Sequence, residues 1–370
     1  MRRTYIHDRA DWPRFHWDSE HLAALLAGVH QEQGRLAGRM EAVGFTFRQE
    51  ALLVTLTSDV LKTSEIEGEM LEPESVRSSI ARHLGLDAGG LKRVDRHVDG
   101  VVEITLDATQ EFRRPLTRER LQAWHAALFP APRHGAPRLV VGDWRTDQTG
   151  PMQVVSGPLG KERVHFVAPR AERLEDEMAA FLEWFNTSSG VDMVLKAALA
   201  HLWFVTIHPF DDGNGRIARA IADMSLARSE NTSQRFYSMS AQIQSERSAY
   251  YDILERTQTG TLDITAWMEW FLNCLGRAIE NASGTLDRVV KKSRFWESAR
   301  AFPLNDRHIR VLNRLLDGFE GRFTTSKYAK LAKCSPDTAL RDIESLIEWN
   351  LLVRNPGGGR STSYSLVWNR

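Results

Sequence analysis

Residues 208 to 219 read His-Pro-Phe-Asp-Asp-Gly-Asn-Gly-Arg-Ile-Ala-Arg, a turn followed at once by a helix. Gly213 and Gly215 let the backbone turn tightly and bring its N–H groups close to a ligand. Beyond them Ile217, Ile221 and Met224 recur at helical spacing, with Arg216 and Arg219 side by side. A helix N-terminus carries unpaired N–H groups and positive dipole character, so it is an anion site. Two guanidiniums on its first turn can grip phosphate oxygens in a fork. His208 adds a proton acceptor, and Asp212 a hard carboxylate suited to Mg²⁺. Phosphoryl or nucleotidyl transfer is the chemistry implied.

Other readings of the turn fail. An EF-hand counted from Asp211 puts Gly213 at the third ligand position and Ala222 at the twelfth; counted from Asp212 it puts Arg216 at the fifth. Zinc on His201 and His208 lacks the close spacing and the further ligands. A plain helical corner explains a lone Asn-Gly but not all twelve residues.

The whole segment resembles the complete core motif of the Fic domain family, whose members mostly transfer AMP from ATP onto hydroxyl side chains of target proteins. The resemblance implies a role for each motif residue. His208 would be the general base on a target Ser, Thr or Tyr, and Asp212 would hold Mg²⁺. Asn214, with the backbone of Gly213 and Gly215, would cradle the anion while Arg216 and Arg219 grip the outer phosphates.

Upstream, Thr63-Ser64-Glu65-Ile66-Glu67-Gly68 is by itself an acidic helix end with a glycine stop. Beside that core it resembles the family's inhibitory motif, with Thr63, Glu67 and Gly68 in the defining positions. Glu67 would then pair with Arg219 in place of a phosphate, because one guanidinium fork cannot serve both. Glu65 and Glu69 lie close enough to compete for that register. About forty residues before the core, Met152–Ser156 and Arg163–Val167 read as a hairpin around Gly157-Pro158-Leu159-Gly160. It resembles the family's flap, in which Met152, Gln153, Val154 and Val155 would pair with the target's main chain. A phosphate-binding P-loop at Gly157–Lys161 is excluded, since Glu162 replaces the Ser/Thr and Val155 the first glycine. Tyr250 and Tyr251 offer an aromatic face to adenine, although adjacent helical residues diverge and at most one can serve.

The rest of the chain reads as mainly α: an all-helical core with the inserted hairpin, a helical N-terminal domain and a C-terminal winged helix-turn-helix. Helical stretches fall at 18–40, 50–64, after Pro73, from Leu91 beyond Gly89-Gly90, from Thr117, from Glu172 through Val205, and onward to about 285. The proline-rich run Phe129–Pro137 is a loop. At 370 residues several domains are expected, placed at 1–110, 111–288 and 300–370, the last after a charged linker with Lys291-Lys292. In the last module helices at Asn305–Leu316, Thr325–Ala332 and Pro336–Trp349 precede strands at Leu351–Arg354 and Ser363–Val367 around Gly357–Gly359. Its third helix carries Asp337, Asp342, Glu344 and Glu348 against Arg341, so phosphate repulsion favours protein contact or a homodimer over DNA reading. A formal net charge of zero gives no sign of wholesale nucleic-acid or membrane attraction. Two unpaired cysteines, Cys274 and Cys334, suit a reducing cytoplasm, and neither a signal peptide nor a membrane span is expected. The implied partners are ATP, Mg²⁺, target proteins and the chain itself by self-modification. The competing functions are a DNA-binding regulator with a nucleotide-sensing core, and AMP removal with Glu67 orienting water.

Overall fold

The computed structural model describes all residues except 1–3, 43–44, 87–94, 131–138, 149, 159, 188–189, 317, 320, 357–361 and 369–370. The expected Gly89-Gly90 loop, the helix start at Leu91, most of the proline-rich run, Leu159 and the Gly357–Gly359 turn lie outside the described residues. The chain forms two compact units, Met1–Ser283 and Gly284–Arg370.

In the first unit the helices are α1 (Ser19–Glu41), α2 (Phe45–Ile66), α3 (Pro73–His83), α4 (Arg96–Gln110) and α5 (Arg118–Leu128). The hairpin β1 (Gln153–Ser156) and β2 (Arg163–Val167) comes next, then α6 (Leu174–Asn186), α7 (Met193–Ile207), α8 (Asn214–Glu230), α9 (Met239–Ser245), α10 (Arg247–Gln258) and α11 (Thr265–Ala299), whose residues from Gly284 on belong to the second unit. Sequence-local caps explain many of the starts. Asp18, Asp95, Thr117, Asp192 and Ser238 each accept a backbone N–H from the first turn of the helix that follows.

The core centres on α7, where every residue from Val194 to Ile207 is buried. A helix apolar all round must be surrounded, and its few polar groups need partners. His201 Nε2 meets the Tyr250 hydroxyl at 2.9 Å, Lys196 donates to the Thr187 carbonyl at 2.7 Å, and Gln258 donates to Thr206 at 3.2 Å. The zinc reading of His201 is thereby closed. Residues 1–110 pack directly with the helices after them; α2 lies against α9, where the Asp59 carboxylate accepts from Ser238 Oγ at 2.6 Å and from Ser240 N–H at 3.2 Å.

The expected linker around Lys291-Lys292 is instead helix. α11 runs unbroken for 35 residues, and Leu286, Phe295 and Ala299 on it are buried. Charge in this stretch reflects a solvated helix face; no proline interrupts the pattern. In the second unit α12 (Asp306–Leu316), α13 (Thr325–Ala332) and α14 (Pro336–Glu348) precede an antiparallel pair, β3 (Leu352–Arg354) and β4 (Tyr364–Leu366). Val311, Leu312, Phe323, Ile343 and Leu346 lie in their shared core. Asp342, expected on an outward acidic face, is buried: Arg307 forks it at 2.8 and 3.0 Å and Tyr328 donates to it at 3.2 Å. Asp337, Arg341, Glu344 and Glu348 remain on the exposed side. Among the described residues no helix is long and apolar enough to cross a membrane.

One close approach in the first unit is unforgiving. A Cβ at Gly100 on α4 would run into the backbone carbonyl of Ala127 on α5. Gly100→Ala should therefore cost about 1–3 kcal/mol, the range for overpacking, read as a lowered urea midpoint at unchanged slope.

Candidate nucleotide site at the α7–α8 corner

His208 is the residue at which the chain leaves α7, and it adopts the left-handed conformation at φ 54°, ψ 57°. That conformation is uncommon for a residue with a side chain and has to be held. Arg145, in the loop before the hairpin, does much of the holding. Its guanidinium donates to the His208 carbonyl (2.7 Å), the Pro169 carbonyl (2.5 Å) and Asp147 (2.9 Å), and its backbone N–H donates to the Pro209 carbonyl (2.9 Å). Asn214 closes the other side of the turn. Its amide donates to the Phe210 carbonyl at 2.8 Å while its oxygen accepts the Phe210 N–H at 3.0 Å. The side chain expected to cradle an anion thus also shapes the loop, and the first N–H groups of α8 are without partners inside the helix. Gly213 starts α8 at φ 77°, close against Leu128 and Phe129. His125 stacks on Phe210 with centroids 4.2 Å apart and packs the turn from behind.

Nδ1 of His208 lies 3.1 Å from the Val205 carbonyl. A carbonyl can only accept, so Nδ1 carries the proton and Nε2 keeps its lone pair. Burial pushes the ring pKa down to about 4; the Val205 carbonyl, Glu67 and Asp212 oppose the shift, while Arg145 adds to it. The ring is therefore neutral across the physiological range. Asp212 is exposed beside it, with one oxygen accepting the Gly213 N–H at 2.6 Å.

Arg216 and Arg219 are both buried, at 5% and 3% exposure, and both meet carboxylates from the end of α2. Arg219 donates to Thr63 Oγ1 at 2.7 Å, to the Thr63 carbonyl at 2.9 Å and to Glu67 Oε1 at 2.8 Å. Burial works against its charge, yet Glu67 keeps its pKa above the ordinary value. The Glu67 carboxylate also lies over Gly215, where a Cβ would collide with Oε1. Glu65 is turned away onto Lys62 at 2.6 Å. Glu69 instead reaches Arg216 at 2.7 Å, a pair that the spacing did not assign.

The α2 end is a Schellman turn. Gly68, at φ 83°, donates its N–H to the Glu65 carbonyl, and the Glu69 N–H donates to the Ser64 carbonyl, each at 3.0 Å. Arg247 caps the Ile66 carbonyl at 2.8 Å, and its guanidinium lies 5.3 Å from the Tyr251 ring centroid. The two tyrosines separate as helix geometry requires. Tyr250 is buried on His201, which removes it as an adenine platform, whereas Tyr251 is exposed with its hydroxyl 3.3 Å from the Ile66 carbonyl.

In the hairpin, Met152 and Val154 pack on a small cluster of Tyr5, Phe166 and Ala168, while Gln153 and Val155 face solvent. Its sheet has two strands, so β1 keeps an outer edge of unpaired backbone groups. Among the described residues no group of three or more His, Cys, Asp or Glu converges to hold a metal ion. Asp212 nevertheless fits Mg²⁺, which needs only one or two protein carboxylates when phosphates complete the shell.

Arg145, His125 and Arg247 were not read from the sequence, and Glu69 was read only as a competitor for the register of Glu67, without Arg216 as its partner. Each is a single polar residue without motif spacing.

Residues 115–226 match the Fic/DOC family, and residues 5–86 match a domain of unknown function, DUF4172. The chain is 32% identical over 94 residues to "Protein adenylyltransferase fic-1" of Caenorhabditis briggsae, covering 25% of this chain and 18% of that protein. It is 34% identical over 116 residues to "Protein adenylyltransferase Fic" of Nematostella vectensis, covering 31% and 25%. The matched stretch thus spans a quarter or less of these relatives' length. A Fic family protein from Desulfovibrio desulfuricans G20 superposes with a TM-score of 0.55 at 20% identity, over 95% of this chain and 97% of that one. A Fic domain containing signaling protein from Bacteroides thetaiotaomicron gives 0.53 at 19% identity, over 70% and 97%.

For His208, a pKa near 4 means that the neutral base persists as pH falls from 7 to 5 and is lost only through about 4. NMR of side-chain-labelled histidine should find that midpoint; a midpoint near 6.5 would mean the ring is solvated. With motif, fold and family match in agreement, this chain carries a Fic domain over residues 115–226.

Proposed function

We propose that the chain is a protein adenylyltransferase, moving AMP from ATP to a Ser, Thr or Tyr hydroxyl, and that it is held back by its own α2. The observation that carries the transfer is the His208 ring, fixed by Val205 with Nε2 free, beside an α8 N-terminus bearing two buried arginines. The target hydroxyl gives its proton to Nε2 as its oxygen attacks the α-phosphorus; the bond to the β-phosphate oxygen breaks and pyrophosphate leaves. Arg216 and Arg219 hold the outer phosphates, and the first-turn N–H groups of α8 take remaining oxygens. When bound, Mg²⁺ on Asp212 supplies neutralising charge to the phosphates. The exposure of Tyr251, against the burial of Tyr250 on His201, supports Tyr251 as the adenine contact. The open edge of β1 at Gln153–Val155 supports docking of the target as an added strand.

Restraint rests on the 2.8 Å pair of Glu67 with Arg219. While it stands, Arg219 has no freedom to turn a γ-phosphate in line. AMP removal with Glu67 orienting water is less well supported, since that carboxylate is committed to Arg219.

His208→Ala should lower transfer by about 10²–10⁴-fold with the fold retained, measured with labelled ATP and lysate; near-normal transfer would remove the proposed base. Glu67→Gly should raise transfer, seen first as self-modification. It should also cost about 1–3 kcal/mol of stability, because a buried arginine loses its charged partner. Activity unchanged or lowered would sink the restraint while leaving His208 its role.

The exposed acids on α14 argue against a duplex reader. The full chain should bind duplex DNA no tighter than the non-specific range, Kd about 10⁻⁴–10⁻⁶ M at physiological salt; a nanomolar site would restore the regulator reading.

A further inference from the structure

The Schellman turn that ends α2 carries two carboxylates, not one. Gly68 at φ 83° reverses the chain between them, so that Glu67 and Glu69 both come back onto the first turn of α8. Each takes a different arginine, at 2.8 and 2.7 Å. Glu69 is held from a third side by His97 on α4, whose Nε2 lies 3.2 Å away while its Nδ1 donates to the Leu128 carbonyl at 3.1 Å. Three elements (α2, α4 and α8) therefore converge on one carboxylate. The guanidiniums are nonetheless incompletely satisfied: Arg216 Nε and Arg219 Nη1 are buried without a protein partner. For Arg216 a single carboxylate oxygen does not fill a fork built for several acceptors, and in Arg219 one arm stays unfilled beside the three acceptors of Thr63 and Glu67.

We propose that the α2 turn is a double clamp in which Glu69, seated by His97, occupies Arg216 as Glu67 occupies Arg219, so that moving one turn frees both phosphate-binding arginines together. This rests on the reading of those arginines as the phosphate grip. It goes further than a misdirected γ-phosphate, because with Arg216 also occupied the closed chain binds the whole triphosphate tail weakly. Removing Glu67 alone then opens half of the grip. Gly68 is the hinge of the device: a side chain there has space, since nothing lies within 4 Å of its Cβ position, but it strains the left-handed turn that aims both carboxylates.

Calorimetric titration of the full chain with ATP tests this without any transfer step. Glu69→Gln should tighten ATP binding about tenfold, the scale of one charge-assisted hydrogen bond, and Glu67→Gly/Glu69→Gln should bind tighter than either single variant. Glu65→Gln, whose carboxylate serves Lys62, should leave affinity unchanged. In the unsubstituted chain, saturating ATP should shift the His97 imidazole resonances as Glu69 leaves them. Wild-type affinity in Glu69→Gln with His97 unmoved would overturn the double clamp. A chain that tightens as expected yet transfers no AMP would overturn the proposed reaction and leave the clamp standing.

Discussion

The site depends on the guanidinium of Arg145 beneath the α7–α8 corner. A left-handed residue with a side chain carries a strain of about 1–2 kcal/mol, and His208 carries it where α7 must give way to α8. Arg145 offsets the strain with bonds to the carbonyls on both sides of the turn, from Nε to His208 and from its own backbone to Pro209. Its other arm holds Pro169, just past β2, so base and hairpin are referenced to one rigid group. A buried arginine is tolerable only when paired and hydrogen-bonded, and Asp147 supplies the counter-charge. The same positive charge helps keep His208 neutral. Burial does most to keep the ring neutral, and the group that fixes its geometry adds to that effect.

Much of this was legible in the sequence, for definite reasons. Apolar spacing and local caps placed the helices within a few residues, and the hairpin followed from its turn glycines. The motif brought His208, Gly213, Arg216 and Arg219 together because they are neighbours on one turn and one helix. Glu67 was found because its spacing from Thr63 matched a known pattern. Arg145 was hidden because a lone arginine in an irregular loop has no period and no partner nearby in sequence. Glu69 was seen only as a rival to Glu67, and its partner was hidden for a different reason: pairing with Arg216 depends on the sense of the turn at Gly68, which residue counting does not encode. Asn214 has a second role that the motif did not show, since an amide suits a backbone as well as an anion and here it bonds Phe210 reciprocally. The supposed linker at Lys291-Lys292 misled because charge on a solvated helix face looks like charge in a loop.

The polar layer between α2 and α8 also explains why the closed arrangement is ordered at all. Arg216 and Arg219 are too buried to stand unpaired, so without a ligand they need anions from the chain itself. Thr63, one turn before Glu67, adds two neutral acceptors to Arg219 and fixes the helix in register. Farther back, Asp59 binds α9 through Ser238 and Ser240, so the polar layer is continuous with the packing of the unit.

Glu67 lies against Gly215 in the first turn of α8, where the missing Cβ leaves room and the helix dipole favours negative charge. On the proposed reading a carboxylate and a phosphate are attracted there by the same N–H groups and the same guanidiniums. Anything that weakens this end of α8 weakens restraint and substrate binding alike, so the two cannot be separated from that side. They can be separated only from the side of α2, through Gly68, Glu67, Glu69 and the His97 that seats the last. On the same reading control would enter through whatever prefers the state in which α2 has left α8, since a ligand shifts such an equilibrium only as far as it prefers one state over the other. On the proposed reading ATP would meet that condition by competing with the carboxylates for the same groups, and a partner that moves α2 would meet it without touching the α7–α8 corner.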